Sequence, residues 1–230
     1  MFSSDCSQRV YNRFKYVCAR FDSESVSKTP KASPAVLFDG QYDIIALGAS
    51  AGGLDALSHI LTDLTVPSPP IVIVQHLSPT RESHLASILA TRSHRTVKQA
   101  EHRELILPGY VYVGPPDEHL LVGPGTIQLV HSQLVHFSRP SIDLLFESVA
   151  GLYGSRSIAV ILSGSNKDGA FGIEAVRQAG GVTIAQNPEN AEFPIMPQAA
   201  IQTGCVDYIV DIDKIGGLLM KLCSGVQVRQ

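Results

Sequence analysis

Residues 43–57 read D-I-I-A-L-G-A-S-A-G-G-L-D-A-L, and this stretch is the clearest indication of the fold class. An apolar run ends at a glycine-rich turn, and apolar residues at helical spacing follow the turn. A strand without polar alternation is typical of a parallel sheet, in which both faces of the strand are buried. The stretch therefore predicts a strand, a sharp turn at its carboxyl end, and a helix.

The same pattern recurs along the chain. Further strand-like runs lie at 70–75, 157–163, 181–185 and 206–210, and helical patterns lie at 53–63, 81–91, 140–152, 169–179, 196–203 and 212–223. Between them, residues 105–138 contain short runs broken by Gly and Pro, which predicts antiparallel hairpins. We expect an α/β fold that is doubly wound, with a mostly parallel sheet, helices on both faces and an inserted antiparallel hairpin region.

Residues 1–40 differ from the rest of the chain. Val10, Phe14, Val17 and Phe21 recur at helical spacing, and the following S-E-S-V-S-K-T-P-K-A-S-P has the composition of a linker. The segment is read either as a short docking helix or as a frayed extension. We expect an N-terminal extension or linker over 1–40 and one catalytic domain over 41–230.

Composition excludes several classes of protein. The net charge is −3 and the pI is about 6.2, whereas a nucleic-acid-binding domain is usually basic. The apolar runs fall short of the roughly 18 residues needed to cross a membrane, so we expect no membrane insertion. The N-terminus lacks the apolar stretch of a signal peptide, and the four cysteines are widely spaced. A cytoplasmic protein with reduced thiols is expected.

The turn from Gly48 to Gly52 fits G-x-S-x-G, the turn that exposes a nucleophilic serine between a strand and a helix. Ser50 is the candidate nucleophile, and the backbone N–H groups of Ala51, Gly52 and Gly53 are the candidate donors to an oxyanion. A dinucleotide-binding turn would need glycine where Ser50 stands, and a phosphate-binding loop would need lysine where Leu54 stands. An ordinary glycine-rich βα turn remains an alternative.

A serine nucleophile needs a base, and His76 is the first candidate. It directly follows the second strand-like run, and adjacent strands lie about 4.8 Å apart. Ser50 and His76 would then meet at the edge where open α/β sheets bind their ligands. The hairpin region holds His119, His131 and His136, any of which is a candidate for the pocket rim. The histidine spacing gives no support for a metal site.

Asp168 is the candidate acid that orients the histidine. It lies in S-G-S-N-K-D-G, the polar loop that follows the run 157–163. Asp143 is the rival acid, although its surroundings predict a position inside a helix. A helix-capping role for Asp168 is the simpler interpretation, and it is compatible with catalysis.

These residues match the sequence pattern of a known protein family. The chain resembles the catalytic domain of CheB-type protein-glutamate methylesterases of bacterial chemotaxis-like signalling, without the receiver domain that usually precedes it. The resemblance runs from about residue 43 to about residue 215. The matching segments are G-A-S-A-G-G, V-Q-H, V-K-Q-A-E, L-P-G-Y-V-Y-V-G-P-P-D-E-H-L, R-P-S-I-D-L-L-F-E-S-V-A, V-I-L-S-G-S-N-K-D-G-A, I-A-Q-N and M-P-Q-A-A-I.

The resemblance implies a Ser50–His76–Asp168 triad that removes methyl esters from receptor glutamates, and often deamidation of receptor glutamines. It implies no metal or organic cofactor. The implied partners are a methylated chemoreceptor or similar signalling protein, with a methyltransferase as a further candidate. Arg139 is a candidate contact to an acidic receptor surface, or else a structural residue at a helix start.

The chain also departs from the family pattern. Ser165 stands where methionine is often found, Lys167 adds a charge, and Ile195 stands where glycine is common. These changes leave the triad intact but bear on substrate fit. The altered loop at 165–167 and the missing receiver domain also motivate an alternative function, a non-catalytic signalling module that keeps the fold and binds a partner.

Overall fold

The computed structural model describes residues 41–64, 68–93 and 95–224. A seven-stranded parallel sheet runs through this part of the chain. Its strands are β1 (Ile44–Ala49), β2 (Ile71–Gln75), β3 (Thr96–Gln99), β4 (Tyr110–Val113), β7 (Ser157–Ile161), β8 (Val182–Gln186) and β9 (Tyr208–Val210). They lie side by side in the order β3-β4-β2-β1-β7-β8-β9. A separate antiparallel hairpin consists of β5 (His119–Gly123) and β6 (Thr126–Val130).

Within the described residues, five α-helices lie between strands and a sixth follows β9. They are α1 (Gly53–Asp63), α2 (Leu85–Arg92), α3 (Ile142–Tyr153), α4 (Ala170–Gln178), α5 (Ile195–Gln202) and α6 (Ile212–Cys223), with short 3₁₀ turns at Gly154–Arg156 and Pro188–Asn190. No helix within the described ranges has the length and apolar character required to cross a bilayer. The predicted extension over 1–40 lies outside the described residues.

Helices cover both faces of the sheet because successive strand residues point to opposite sides. On one face, Ile45 and Leu47 of β1 pack with α1, α2 and α6; on the other, Ile44 and Ala46 pack with α3, α4, α5 and the hairpin. Since both faces are covered, β1, β2 and β7 are buried along their whole length. The doubly wound α/β prediction is confirmed.

The region predicted as hairpins differs in part. The antiparallel hairpin is present as β5–β6, but Tyr110–Val113 instead forms β4, a parallel strand of the main sheet beside β2. Strand β3 (Thr96–Gln99), which the sequence pattern did not indicate, pairs with β4 at the edge of the sheet. Strands of only four residues carry too short a pattern to reveal whether their partner is local or distant.

Candidate active site

Three polar residues meet at the carboxyl edge of the sheet. Ser50 follows β1, His76 follows β2, and Asp168 lies in the loop after β7, while β1 pairs with both other strands. The backbone N–H of His76 donates to the carbonyl of Ala49 (3.1 Å), and the N–H of Ser50 donates to the carbonyl of Ser163 (2.9 Å). These bonds tie the ends of the three strands together just where the side chains emerge.

The three side chains form a continuous hydrogen-bonded chain. Oγ of Ser50 lies 3.1 Å from Nδ1 of His76, and Nε2 of His76 lies 2.8 Å from Oδ2 of Asp168. Because the carboxylate can only accept, Nε2 carries the ring proton and Nδ1 presents its lone pair to the serine hydroxyl. This arrangement can take a proton from serine as the hydroxyl attacks a carbonyl.

Asp168 is fully buried at the start of helix α3. Its carboxylate accepts the backbone N–H groups of Ile142 (2.7 Å) and Asp143 (3.0 Å) and the hydroxyl of Ser141 (3.0 Å). Burial opposes ionisation, but the hydrogen bonds from His76 and from the helix start outweigh it and keep the pKa of Asp168 below its usual value. An ionised carboxylate therefore faces the imidazole.

Ser141 is a residue at the site that the sequence analysis missed. Besides donating to Asp168, its hydroxyl accepts the N–H of Leu144 (3.4 Å), so it also caps α3. His119, considered for the pocket rim, is instead buried beneath this helix start. Its Nδ1 accepts the N–H of Ser141 (3.1 Å) and its Nε2 contacts the carbonyl of Gln133 (3.0 Å). A serine followed by apolar residues at helical spacing was the available indication of the cap.

The serine turn is braced from β2. Nε2 of Gln75 donates to the carbonyl of Ser50 at 2.6 Å, and Gly52 has a left-handed backbone (φ 72°). The N–H of Gly53 also donates to the carbonyl of Ser50, at 2.9 Å, so this N–H is engaged in the turn. Of the three predicted oxyanion donors, Gly53 is therefore removed, and the N–H groups of Ala51 and Gly52 remain.

Arg139 lies beside the triad with its charge already engaged. Its Nε donates to Oδ1 of Asp117 at 2.9 Å, and its Nη1 donates to the carbonyl of Ser132. It lines a cleft of about 150 Å³ together with His76, Leu77, Pro79, Asp117, Leu134, Phe137 and Ser138. The structure thus places Arg139 at the cleft, as an ion-paired part of its wall.

The loop that carries the acid brings one more side chain to the base. Nδ2 of Asn166 lies 3.3 Å from Nδ1 of His76, and Oδ1 of Asn166 accepts the N–H of Asp168 at 3.2 Å. Ser165 and Lys167 on either side are exposed.

Asp143, the rival acid, faces the N–H groups of Gly169 and Gly172 rather than His76. Within the described ranges, no three His, Cys, Asp or Glu side chains are grouped to hold a metal ion.

Comparison with known proteins identifies relatives over most of the chain. The profile of the CheB methylesterase family matches residues 45–219. The crystal structure of the Thermotoga maritima CheB methylesterase catalytic domain superposes with a TM-score of 0.74 at 36% identity, covering 79% of this chain and 98% of that one.

This chain matches nearly the full length of some relatives and only part of other, longer ones. A relative in Leptospira interrogans is 41% identical over 183 residues, which are 79% of this chain and 95% of the relative. The protein-glutamate methylesterase/protein-glutamine glutaminase of Photorhabdus laumondii is 41% identical over 209 residues. That match covers 87% of this chain and 60% of the longer relative.

Proposed function

The chain belongs to the CheB methylesterase family, and from this premise we propose that Ser50, His76 and Asp168 hydrolyse methyl esters of glutamate side chains in a chemoreceptor-type protein. The enzyme is a carboxylic ester hydrolase of the protein-glutamate methylesterase type. The observation that most directly supports the roles of the residues is the pair of hydrogen bonds that joins the hydroxyl, the imidazole and the buried carboxylate.

The first half-reaction forms an acyl-enzyme. Oγ of Ser50 attacks the ester carbonyl while Nδ1 of His76 takes its proton, and the ionised Asp168 stabilises the resulting imidazolium. The N–H groups of Ala51 and Gly52, at the start of α1, donate to the negative oxygen of the tetrahedral intermediate. The C–O bond to the methoxy group then breaks, and Nδ1 returns the proton so that methanol leaves.

The second half-reaction restores the serine. Nδ1 of His76 takes a proton from water, the hydroxide attacks the acyl carbonyl, and Oγ of Ser50 regains the proton as the bond to the acyl group breaks. The product is a free glutamate carboxylate. The same steps on a glutamine amide release ammonia instead of methanol, which is the glutaminase activity in the names of the relatives. We propose it as a second reaction of this site.

The substrate we propose is a methylated chemoreceptor or a similar signalling protein, and a methyltransferase that makes the ester is a further candidate partner.

The alternative of a non-catalytic binding module was motivated by the altered loop at Ser165 and Lys167. Those two side chains are exposed and leave the hydrogen bonds of the triad in place. An intact triad is unnecessary for binding alone, so the geometry favours catalysis.

Methanol release from a methylated receptor tests the assignment. Ser50→Ala removes the nucleophile and should lower the rate by roughly 10⁴-fold or more. Ser87→Ala is the matched control, since its hydroxyl is exposed on α2 and donates to the carbonyl of His84. Unfolding midpoints near that of the parent would show that both variants fold. Undiminished turnover in Ser50→Ala would refute the assignment of the nucleophile.

A further inference from the structure

Residues 135–138 form a two-residue hairpin turn beside the cleft. The N–H of Val135 donates to the carbonyl of Ser138 (3.1 Å), and the N–H of Ser138 donates to the carbonyl of Val135 (2.8 Å). The central residues His136 and Phe137 both have positive φ, 49° and 61°. Turns of this kind favour Asn-Gly, and a bulky aromatic residue such as Phe137 is a rare outlier at positive φ. The local sequence therefore opposes the conformation that the turn adopts, which is a common property of functional segments.

Contacts of His136 hold the turn in place. Its Nε2 lies 3.2 Å from Oδ2 of Asp143, which is fully buried, and its ring stacks on Phe171 with centroids 5.9 Å apart. Asp143 in turn accepts the N–H of Gly169, the residue that follows the catalytic acid. The turn is thus fixed to the same helix starts that position the triad.

Phe137, the other central residue, points away from these contacts and is 97% exposed. It lines the same cleft as His76, and Leu134 beside it is also exposed. The charged residues of this wall, Asp117 and Arg139, are paired with each other. The wall therefore offers a partner apolar contact and little net charge.

We propose that Phe137 is the docking residue for the substrate protein, and that its ring packs against an apolar side chain neighbouring the methyl-esterified glutamate. The inference rests on the proposed function, because the segment that brings an ester to Ser50 has to lie against the cleft that His76 and Phe137 line. Burial of an exposed aromatic ring is a strong source of binding free energy. A turn anchored through one central residue presents the other without loss of order on binding.

The test compares two substrates, a methylated receptor fragment and the small ester p-nitrophenyl acetate. In Phe137→Ala, the ratio of kcat/KM for the protein to kcat/KM for the small ester should fall at least about fivefold, mainly through KM for the protein. Phe137→Leu, which keeps an apolar side chain, should restore most of the ratio. Leu152→Ala is the control, because Leu152 is 42% exposed in the last turn of α3, away from the cleft, and should leave both rates unchanged.

Each outcome has a separate meaning. A fall of the ratio in Phe137→Ala with an unfolding midpoint near that of the parent supports docking. Equal losses on both substrates, or no change on either, overturn it. Higher rates on both substrates also overturn it, since they would mean that the ring covers the cleft. If the parent cleaves the small ester and leaves the methylated protein intact, the proposed function fails first.

Discussion

Asp168 caps α3, the helix that contains Asp143, and Asp143 caps α4, the helix that begins just after Asp168. The carboxylate of Asp168 accepts the N–H of Asp143 in the first turn of α3 (3.0 Å). The carboxylate of Asp143 accepts the N–H groups of Gly169 (2.9 Å) and Gly172 (2.8 Å) at the start of α4. The positive ends of two helices therefore share one point, and two buried carboxyl groups lie there together. Asp168, the proposed catalytic acid, is therefore held by the packing of α3 against α4.

This shared site shifts the pKa values of the two carboxyl groups in opposite directions. Burial, followed by the charge of Asp168, raises the pKa of Asp143 to about 8. Asp168, with donors from His76 and the start of α3, has its pKa lowered. At neutral pH the negative charge of the pair therefore belongs to Asp168, where the imidazolium requires it, and Asp143 acts as a neutral cap.

The first prediction concerns stability against pH. Because the folded-state pKa of Asp143 is raised above its unfolded value of 3.8, the folded protein holds a proton that the unfolded chain has lost between about pH 4 and pH 8. Its contribution to the free energy of unfolding therefore falls as pH rises through this window. Asp143→Asn cannot ionise, so its stability relative to the parent should increase from pH 5 to pH 8.

Urea unfolding of both proteins at pH 5 and pH 8 measures this difference. Asp213→Asn, at an exposed position in α6, controls for the substitution itself. Because the pKa of Asp168 is lowered, the stability that its ionised carboxylate contributes is lost only below about pH 4, outside the window. The titratable groups that face Asp143, namely Asp168, Glu147 and His136, contribute to the size of the effect. A difference between parent and Asp143→Asn that stays constant across the window would contradict the prediction.

The sequence was sufficient to bring the three triad residues together. Ser50 and His76 each follow a mostly apolar strand-like run, and Asp168 lies in the polar loop after another. Parallel strands end at one edge of a sheet, so position along the chain translated into proximity in space. Their catalytic roles remain a proposal that the Ser50 assay tests.

The supporting contacts could not be predicted in the same way. Gln75 of β2 donates to the carbonyl of Ser50 at the end of the neighbouring strand β1. Asp143 of α3 accepts the N–H of Gly169 at the start of α4. Such contacts depend on how side chains pack between distant segments, which periodicity does not encode. The loss of Gly53 as an oxyanion donor has the same origin, because a turn's hydrogen bond follows from its dihedral angles rather than from its residue types.

The second prediction compares two glycines. A Cβ on Gly48, in β1, would lie 2.4 Å from Cγ2 of Ile142 in α3. Because Ile142 also donates its N–H to Asp168, the displacement would reach the proposed catalytic acid. Gly48→Ala should therefore lower both the unfolding midpoint and kcat. Gly217→Ala is the control, since the added Cβ meets nothing within 4 Å at this exposed position of α6 and alanine favours a helix by about 0.5–1 kcal/mol.

Thermal unfolding and methanol release measured together test this pair. Gly217→Ala should raise the midpoint and leave the rate as in the parent, which separates a local helix effect from one at the site. A Gly48→Ala protein with parental midpoint and rate would show that α3 can move away without disturbing Asp168.

The third prediction concerns Asn166, whose amide competes with the hydroxyl of Ser50 for Nδ1 of His76. Nδ1 of His76 has one lone pair, and both the hydroxyl of Ser50 (3.1 Å) and the amide of Asn166 (3.3 Å) lie within reach of it. Asn166→Asp removes this donor and keeps an oxygen that can accept the N–H of Asp168. It also places a negative charge beside the imidazole, which favours the protonated and inactive base.

Asn166→Asp should therefore move the acidic limb of the kcat/KM profile upward by roughly 0.5–1 pH unit. Asn166→Ala removes the same donor without adding a charge, so it should leave the limb near that of the parent. Because Asn166 is partly exposed, added salt should reduce the shift in the Asp variant. If the Asp and Ala variants move the limb equally, the contact with His76 acts through loop order rather than through charge, and the electrostatic account of Asn166 is wrong.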